Sequence, residues 1–234
     1  MFINYAHRGA SEYLPENTFL AFYNGIYMGA NGIETDVQKT KDGVLVLFHD
    51  DTITRVTGKE GAIKDYSFNE LQEFDVMKNG FRDKIVAFED FLKHFKNFPL
   101  TFAIELKSEV AIETAEMLRK YNMQEKTVVT SFNFEYIKKF KEFAPEFRIG
   151  WLVRDIGEDV ISQLRAIGGE EICPKAEQLT KENVAALHSK GFTVRAWGVF
   201  NEEIMKNAVE SGADGMTINF PDKLTAYMAN KYKD

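Results

Sequence analysis

The sequence predicts an α/β chain folded as a (β/α)8 TIM barrel with a small insertion after the second βα unit. Three observations carry this expectation. Short runs rich in Val, Ile and Phe alternate with segments of 3.6-residue apolar period, the pattern of repeated βα units around a parallel sheet. The connection Lys41-Asp42-Gly43 is too short for a parallel crossover, so one strand candidate is the returning arm of a hairpin and eight barrel strands remain. The 234 residues then match a fold that takes about 200–250 residues, so residues 1–234 are read as one domain. A doubly wound open sheet is the alternative, but no Gly-x-Gly-x-x-Gly turn follows the first strand.

Taken in order, strand one is expected over Phe2–Arg8 and its helix over Thr18–Gly29. Strand two runs over Gly32–Thr40 and turns at Asp42-Gly43 into an arm over Val44–Asp50. With Asp42 and Gly43 as a two-residue loop, Lys41 faces Val44 and Asp36 faces His49. Residues 51–99 form the insertion, with helices over Asn69–Phe74 and Phe88–Phe95; long βα connections of this kind commonly carry function. Strands then follow over Leu100–Lys107, Thr127–Phe132, Arg148–Val153, Glu171–Lys175, Phe192–Val199 and Asp214–Phe220. Their helices are expected over Val110–Lys120, Phe134–Phe143, Asp159–Gly168, Lys181–Lys190, Glu202–Ser211 and Asp222–Lys231. Gly29, Gly168, Gly191 and Gly212 stand at helix ends, where a left-handed residue closes the last turn.

Composition narrows the function. Aromatic residues make up 13% of the chain and include 20 Phe, which excludes disorder and predicts a Phe-rich core. An excess of 36 acids over 29 bases argues against nucleic-acid binding, which needs a basic stripe to displace counterions. One small phosphate ester is still compatible with it. A single cysteine, Cys173, offers no disulfide framework or cysteine metal site and reads as a buried structural thiol. The N-terminus lacks a basic segment followed by an apolar run, so the chain is expected to be cytoplasmic. Apolar runs fall far short of the ~20 residues that span a bilayer, so no stable membrane insertion is expected.

In a barrel, chemistry sits at the C-terminal ends of the strands. There the sequence places His7-Arg8-Gly9, Glu34-Thr35-Asp36, His49-Asp50 and Glu105-Leu106-Lys107. Side chains alternate along a strand, so Glu34 and Asp36 share one face about 7 Å apart. Inward-facing carboxylates repel and are costly to desolvate unless a cation joins them. With Glu105 they make three hard oxygen ligands suited to Mg²⁺ or Ca²⁺; the competing reading is that they are solvated or paired with Lys107 or Arg8. His7 and His49 end strands and are placed to exchange protons, whereas His94 and His188 read as helix-surface residues. Arg8 and Lys107 suit phosphate oxygens. Within Leu14-Pro15-Glu16-Asn17-Thr18, either Asn17 simply caps the first helix, or Glu16 and Asn17 orient a catalytic group. Trp197 is either barrel filler or a wall of the substrate pocket.

These residues resemble those of the glycerophosphodiester phosphodiesterase family along the whole chain. The family's His-Arg-Gly is matched by His7 to Gly9, its Pro-Glu-Asn-Thr by Pro15 to Thr18, and its Glu-x-Asp by Glu34 and Asp36. His49-Asp50-Asp51-Thr52 with Arg55, Glu105 with Lys107, Ser131-Phe132, Trp197, Asp214-Gly215 and Pro221-Asp222 continue the series. The resemblance implies a barrel with a small insertion and a divalent cation, Mg²⁺ or Ca²⁺, on Glu34, Asp36 and Glu105. It further implies acid–base work by His7 and His49, phosphate contact by Arg8 and Lys107, and cleavage of a small glycerophosphodiester to glycerol 3-phosphate and an alcohol. Gly198 after Trp197 and Ile218 before Asn219 depart from the family's pattern and bear on which alcohol is accepted. Two rival functions are a lysophospholipase-D-like or cyclic-phosphate-forming phosphodiesterase on the same barrel, and a non-catalytic phosphodiester-binding barrel. The former wants an exposed apolar rim or a membrane-binding helix, and the sequence predicts neither; the latter has no use for two strand-end histidines. Oligomeric state is not legible in the sequence.

Overall fold

The structure is a computed structural model in which residues 1–231 are described; residues 232–234, the end of the expected domain, lie outside them. The strands in chain order are β1 (Ile3–His7), β2 (Gly32–Lys39), β3 (Leu45–Leu47), β4 (Asp75–Lys78), β5 (Phe81–Lys84), β6 (Thr101–Leu106), β7 (Thr127–Ser131), β8 (Arg148–Val153), β9 (Glu171–Pro174), β10 (Thr193–Val199) and β11 (Gly215–Ile218). The helices are α1 (Phe19–Tyr27), α2 (Thr54–Thr57), α3 (Phe68–Leu71), α4 (Phe88–Phe95), α5 (Ala111–Lys120), α6 (Phe134–Phe143), α7 (Glu158–Ala166), α8 (Lys181–Ser189), α9 (Glu202–Glu210) and α10 (Pro221–Lys231). Eight parallel strands, β1, β2 and β6 to β11, close into a barrel, with β1 paired to β11 through Tyr5 and Thr217 and to β2 through Ala6 and Ile33. The sheet has no open edge there, and the predicted (β/α)8 barrel is the fold observed.

The core is Phe-rich, as the composition predicts. Phe22, Phe91, Phe95, Phe102, Phe140 and Phe147 fill the space between strands and helices, with Phe22 and Phe91 edge to face at 5.0 Å between centroids. Inside the barrel, Arg195 and Glu171 form a buried pair at 2.8 Å, with Arg195 also donating to Thr217 and lying over the Tyr5 ring. Cys173 is buried beside them, its thiol pushed up by burial, and is a structural residue.

The hairpin after β2 departs from expectation by one residue. Val37 pairs with Leu47 and Lys39 with Leu45, so the loop is the three residues Lys41 to Gly43, closed by Thr40 N on Val44 O at 2.9 Å. Gly43 at φ +86° supplies the left-handed step that lets a type I turn rejoin the ladder. Asp36 therefore stands opposite Phe48, whose N–H donates to the Asp36 carbonyl at 3.0 Å, and not opposite His49. Such a slip would turn His49 to the other face of a regular ladder, but β3 ends at Leu47 and His49 lies beyond the pairing.

The segment 51–99 contains more than expected. Among its helices, α4 sends Phe88, Phe91, Leu92 and Phe95 into the barrel's own core, while Ile53, Val56, Ile63, Leu71, Val76 and Ile85 form a separate small core with Val46 and Phe48. The sequence reading omitted the hairpin β4–β5, which turns at Asn79-Gly80, both at positive φ. That hairpin clasps the loop after β1: Asn79 Nδ2 donates to Tyr13 O at 3.0 Å, and Asp83 accepts from Leu20 N at the start of α1. Among the described residues, no helix is long and apolar enough to cross a membrane.

Candidate active site at the barrel mouth

A cavity at the C-terminal mouth divides into two arcs when its lining is followed in strand order. His7 and Arg8 from β1, Glu34 from β2, His49 after the hairpin and Glu105 from β6 make a polar arc. Phe132 after β7, Leu152 from β8, and Trp197 and Val199 from β10, with Phe200, make a largely apolar one that also includes Arg195 of β10. Asn219 and Thr217 of the last βα unit separate them.

The turn that carries His7 and Arg8 is unusually constrained. Arg8 and Gly9 both take left-handed backbone, φ 55° and 82°, and Gly9 lies so close to α1 that a Cβ there would sit 2.4 Å from the Ala21 carbonyl carbon. Asn17, also left-handed at φ 57°, does not cap α1. Thr18 does, accepting from Ala21 N at 3.3 Å. Asn17 instead donates to Asp36 Oδ2 at 3.0 Å and accepts from Thr35 Oγ1 at 2.7 Å. The capping reading is thereby set aside, and Asn17 ties the loop after β1 to β2.

Glu34, Asp36 and Glu105 are all buried and present oxygen atoms within 4.8 Å of one another. Arg8 Nε lies 3.1 Å from Asp36 Oδ2, and Lys107 Nζ 2.9 Å from Glu105 Oε1. Burial and the charges of Asp36 and Glu105 push the Glu34 carboxyl well above the usual carboxylate range. Burial and Asp36 also raise Glu105 against the pull of Lys107, whereas Asp36, despite its burial, is held low by Arg8, His49 and Lys107. Asp36 Oδ1 is buried with no hydrogen-bond partner, a costly state for a carboxylate oxygen. An orphaned oxygen, three converging carboxylates and a deficit of local positive charge are what a divalent cation would relieve, and the donor set fits Mg²⁺ or Ca²⁺.

Each histidine at the mouth is held at Nδ1 by an acceptor. His49 Nδ1 lies 2.7 Å from Asp50 Oδ1, and His7 Nδ1 lies 2.5 Å from Asn219 Oδ1, which also accepts from Ser11 Oγ. An acceptor there places the proton of the neutral ring on Nδ1 and leaves Nε2 unprotonated. His7 Nε2 is 3.8 Å from Glu34. Desolvation and the neighbouring Arg8 charge push His7 down to about 3. Glu16 accepts from Arg8 Nη1 at 2.9 Å. His94 and His188 are exposed on helices, as expected, paired with Tyr23 and Asp214.

Trp197 is a pocket wall and not filler. Its Nε1 donates to Val153 O at 3.1 Å, and its ring meets Phe132 edge to face at 4.9 Å. Phe132 and Phe200 are 36% and 67% exposed. The mouth therefore does have an apolar rim, contrary to the sequence expectation, formed by Phe132 after β7 and Phe200 after β10, where the ladder shifts register between Ala196 and Val199 and Gly198 takes φ +73°. Sequence reasoning also missed the role of Asn219 in holding His7; its position just before Phe220-Pro221-Asp222 was the available signal.

Fold and site define a barrel enzyme whose mouth joins an acidic cluster to paired histidines and phosphate-suited cations. Residues 7–223 match the Glycerophosphoryl diester phosphodiesterase family. A glycerophosphodiester phosphodiesterase of Bacillus altitudinis is 32% identical over 232 residues, covering 94% of this chain and 95% of that protein. The crystal structure of a glycerophosphodiester phosphodiesterase from Agrobacterium tumefaciens superposes with a TM-score of 0.87 at 26% identity, over 97% of this chain and 100% of the other. An Oleispira antarctica phosphodiesterase in complex with the product sn-glycerol-3-phosphate shares the fold with a TM-score of 0.86 at 23% identity, over 96% of each chain. The chain belongs to the glycerophosphoryl diester phosphodiesterase family and is an enzyme of that class.

Proposed function

We propose that this enzyme hydrolyses small glycerophosphodiesters, such as glycerophosphocholine or glycerophosphoethanolamine, to glycerol 3-phosphate and an alcohol. The observation that carries the mechanism is the convergence of three buried carboxylates with two histidines, each held at Nδ1 so that Nε2 is free. Glu34, Asp36 and Glu105 would hold a divalent cation, Mg²⁺ or Ca²⁺; bound there, it supplies Lewis-acid stabilisation of charge on the phosphate. Arg8 offers a forked guanidinium and Lys107 a point charge to the same anion. One of His7 and His49, neutral with Nε2 open, deprotonates the attacking oxygen, and the other, acting as the imidazolium with a second proton on Nε2, protonates the leaving alcohol. Trp197 and Phe132 present flat apolar surface to the carbon skeleton of the substrate.

The exposed rim of Phe132 and Phe200 favours a second reading, a lysophospholipase-D-like activity in which the rim carries an acyl chain. Incubation with glycerophosphocholine and with lysophosphatidylcholine, each with and without chelator, separates the two. Chelator-sensitive release of glycerol 3-phosphate from the first supports the proposal. Release of lysophosphatidate alone replaces it with the second, and turnover of neither removes both.

A further inference from the structure

One side chain of the insertion bridges two segments that border the site. Arg55, on α2, divides its guanidinium between two carboxylates from distant parts of the chain. Nη1 and Nη2 donate to Glu16 Oε2 and Oε1 at 2.8 and 2.7 Å, and Nε donates to Asp50 Oδ2 at 2.5 Å. Each carboxylate has a second partner at the mouth. Glu16 Oε1 also accepts from Arg8, and Asp50 Oδ1 meets His49 Nδ1. The result is an unbroken series, His49 to Asp50 to Arg55 to Glu16 to Arg8, joining the end of the hairpin, the insertion and the loop after β1.

We propose that Arg55 is a positioning residue that orders His49 through Asp50 and Arg8 through Glu16, so that the insertion sets the geometry of proton transfer and of phosphate binding together. The inference rests on the roles given to His49 and Arg8 above. His49 lies beyond the β3 ladder and has no strand pairing to hold it, so its ring plane and tautomer depend on the carboxylate at Nδ1. Asp50 is the next residue in the same irregular segment, and its other oxygen is held by Arg55. Burial alone would raise Asp50 and Glu16, but hydrogen bonds led by those from Arg55 keep both carboxyls below their ordinary values and so ionised as acceptors. Only arginine's rigid fork can serve two carboxylates in this geometry; lysine supplies charge without the plane. The Arg55 side chain is 52% exposed, so its removal takes away these contacts and little packing.

The test uses the full chain with Arg55→Gln, Arg55→Lys, Asp50→Asn and Glu16→Gln. Spectra of ¹⁵N-labelled histidine, with His49 assigned by its loss in His49→Ala, report the ring independently of turnover. The wild type is expected to show the Nδ1–H tautomer at His49, Arg55→Gln and Asp50→Asn a mixture, and Glu16→Gln the wild-type pattern. With glycerophosphocholine as substrate, Asp50→Asn should lower kcat about 10–100-fold, the usual loss when a partner orienting a working histidine is removed. Glu16→Gln should chiefly raise KM, and Arg55→Gln should do both. The Arg55→Gln, Asp50→Asn pair should lose no more kcat than its worse single member, the non-additivity of groups acting in one series. Arg55→Lys should resemble Arg55→Gln; if Arg55→Gln fails to fold, Arg55→Lys carries the comparison. A wild-type tautomer in the folded Arg55 variant, additive kcat losses, or full activity of Arg55→Lys overturns the proposal. No turnover by the wild type overturns the functional reading instead, and the imidazole spectra still judge Arg55.

Discussion

Replacing Glu34 by glutamine probes the carboxylate cluster without any assay of turnover. The change preserves shape and an acceptor for the Arg8 backbone N–H, which lies 3.3 Å from Glu34 Oε2, and removes one charge. Carboxylate oxygens within 4.8 Å repel by about 3.5 kcal/mol per pair at an effective dielectric of about 20. The protein can avoid that repulsion by keeping Glu34 protonated. Burial and its two carboxylate neighbours raise the Glu34 carboxyl, so ionising it in the folded state costs the native protein stability. From the Coulomb figure, in chelator at pH 7 Glu34→Gln should melt above wild type by up to roughly 7–14 °C, at about 2–4 °C per kcal/mol for a chain of this size. The sign follows from linkage. A raised folded pKa means the native state binds the extra proton, so metal-free wild type should lose stability as pH rises above 4.5, and Glu34→Gln should be spared this loss. Cation at about 100 times its Kd should stabilise wild type by about 2.7 kcal/mol, and the variant much less. Melting followed by circular dichroism, with chelator and then with Mg²⁺ or Ca²⁺, reads all three effects. A metal-free variant less stable than wild type, or one with an undiminished cation response, would refute the triad as a charge-crowded cation site.

His49→Ala should lower kcat by about 10²–10⁴, the contribution of an acid–base group, with an unchanged melting point; wild-type turnover would remove His49 from the mechanism. Stripping divalent cations should abolish diester cleavage and adding Mg²⁺ or Ca²⁺ should restore it, while full activity of a metal-free preparation would eliminate the cation. Gly9→Ala should destabilise by about 2–5 kcal/mol, from left-handed backbone plus overpacking against Ala21; thermal melting within a degree of wild type would contradict the close approach of this turn to α1.

Legibility followed the range of the interactions. The strands and their helices were readable because apolar periodicity is local, and the polar strand ends stood out because they interrupt it. The hairpin register slipped because Lys41 can belong to either strand or loop; only the left-handed Gly43 at the third loop position settles it. The β4–β5 hairpin went unread although Asn79-Gly80 is a strong turn signal, since Asp75-Val76-Met77-Lys78 and Phe81-Arg82-Asp83-Lys84 lack the alternation of a half-buried strand. The cluster Glu34, Asp36 and Glu105 was legible as neighbours on adjacent strands. The partner of His7 and the apolar rim were not, for one depends on barrel closure and the other on residues after β7 and β10 that are distant in sequence.

The pairing of β1 with β11 joins a segment made early in synthesis to one made much later. His7 and its partner Asn219 are 212 residues apart, so a ribosome synthesises this histidine long before the amide that orients it. At about 5–20 residues per second, the interval is roughly ten to forty seconds. Throughout it β1 presents an unpaired edge and His7 has no acceptor at Nδ1. The nascent chain therefore carries all three acids and both histidines before His7 gains its orienting amide, which arrives only when β11 docks.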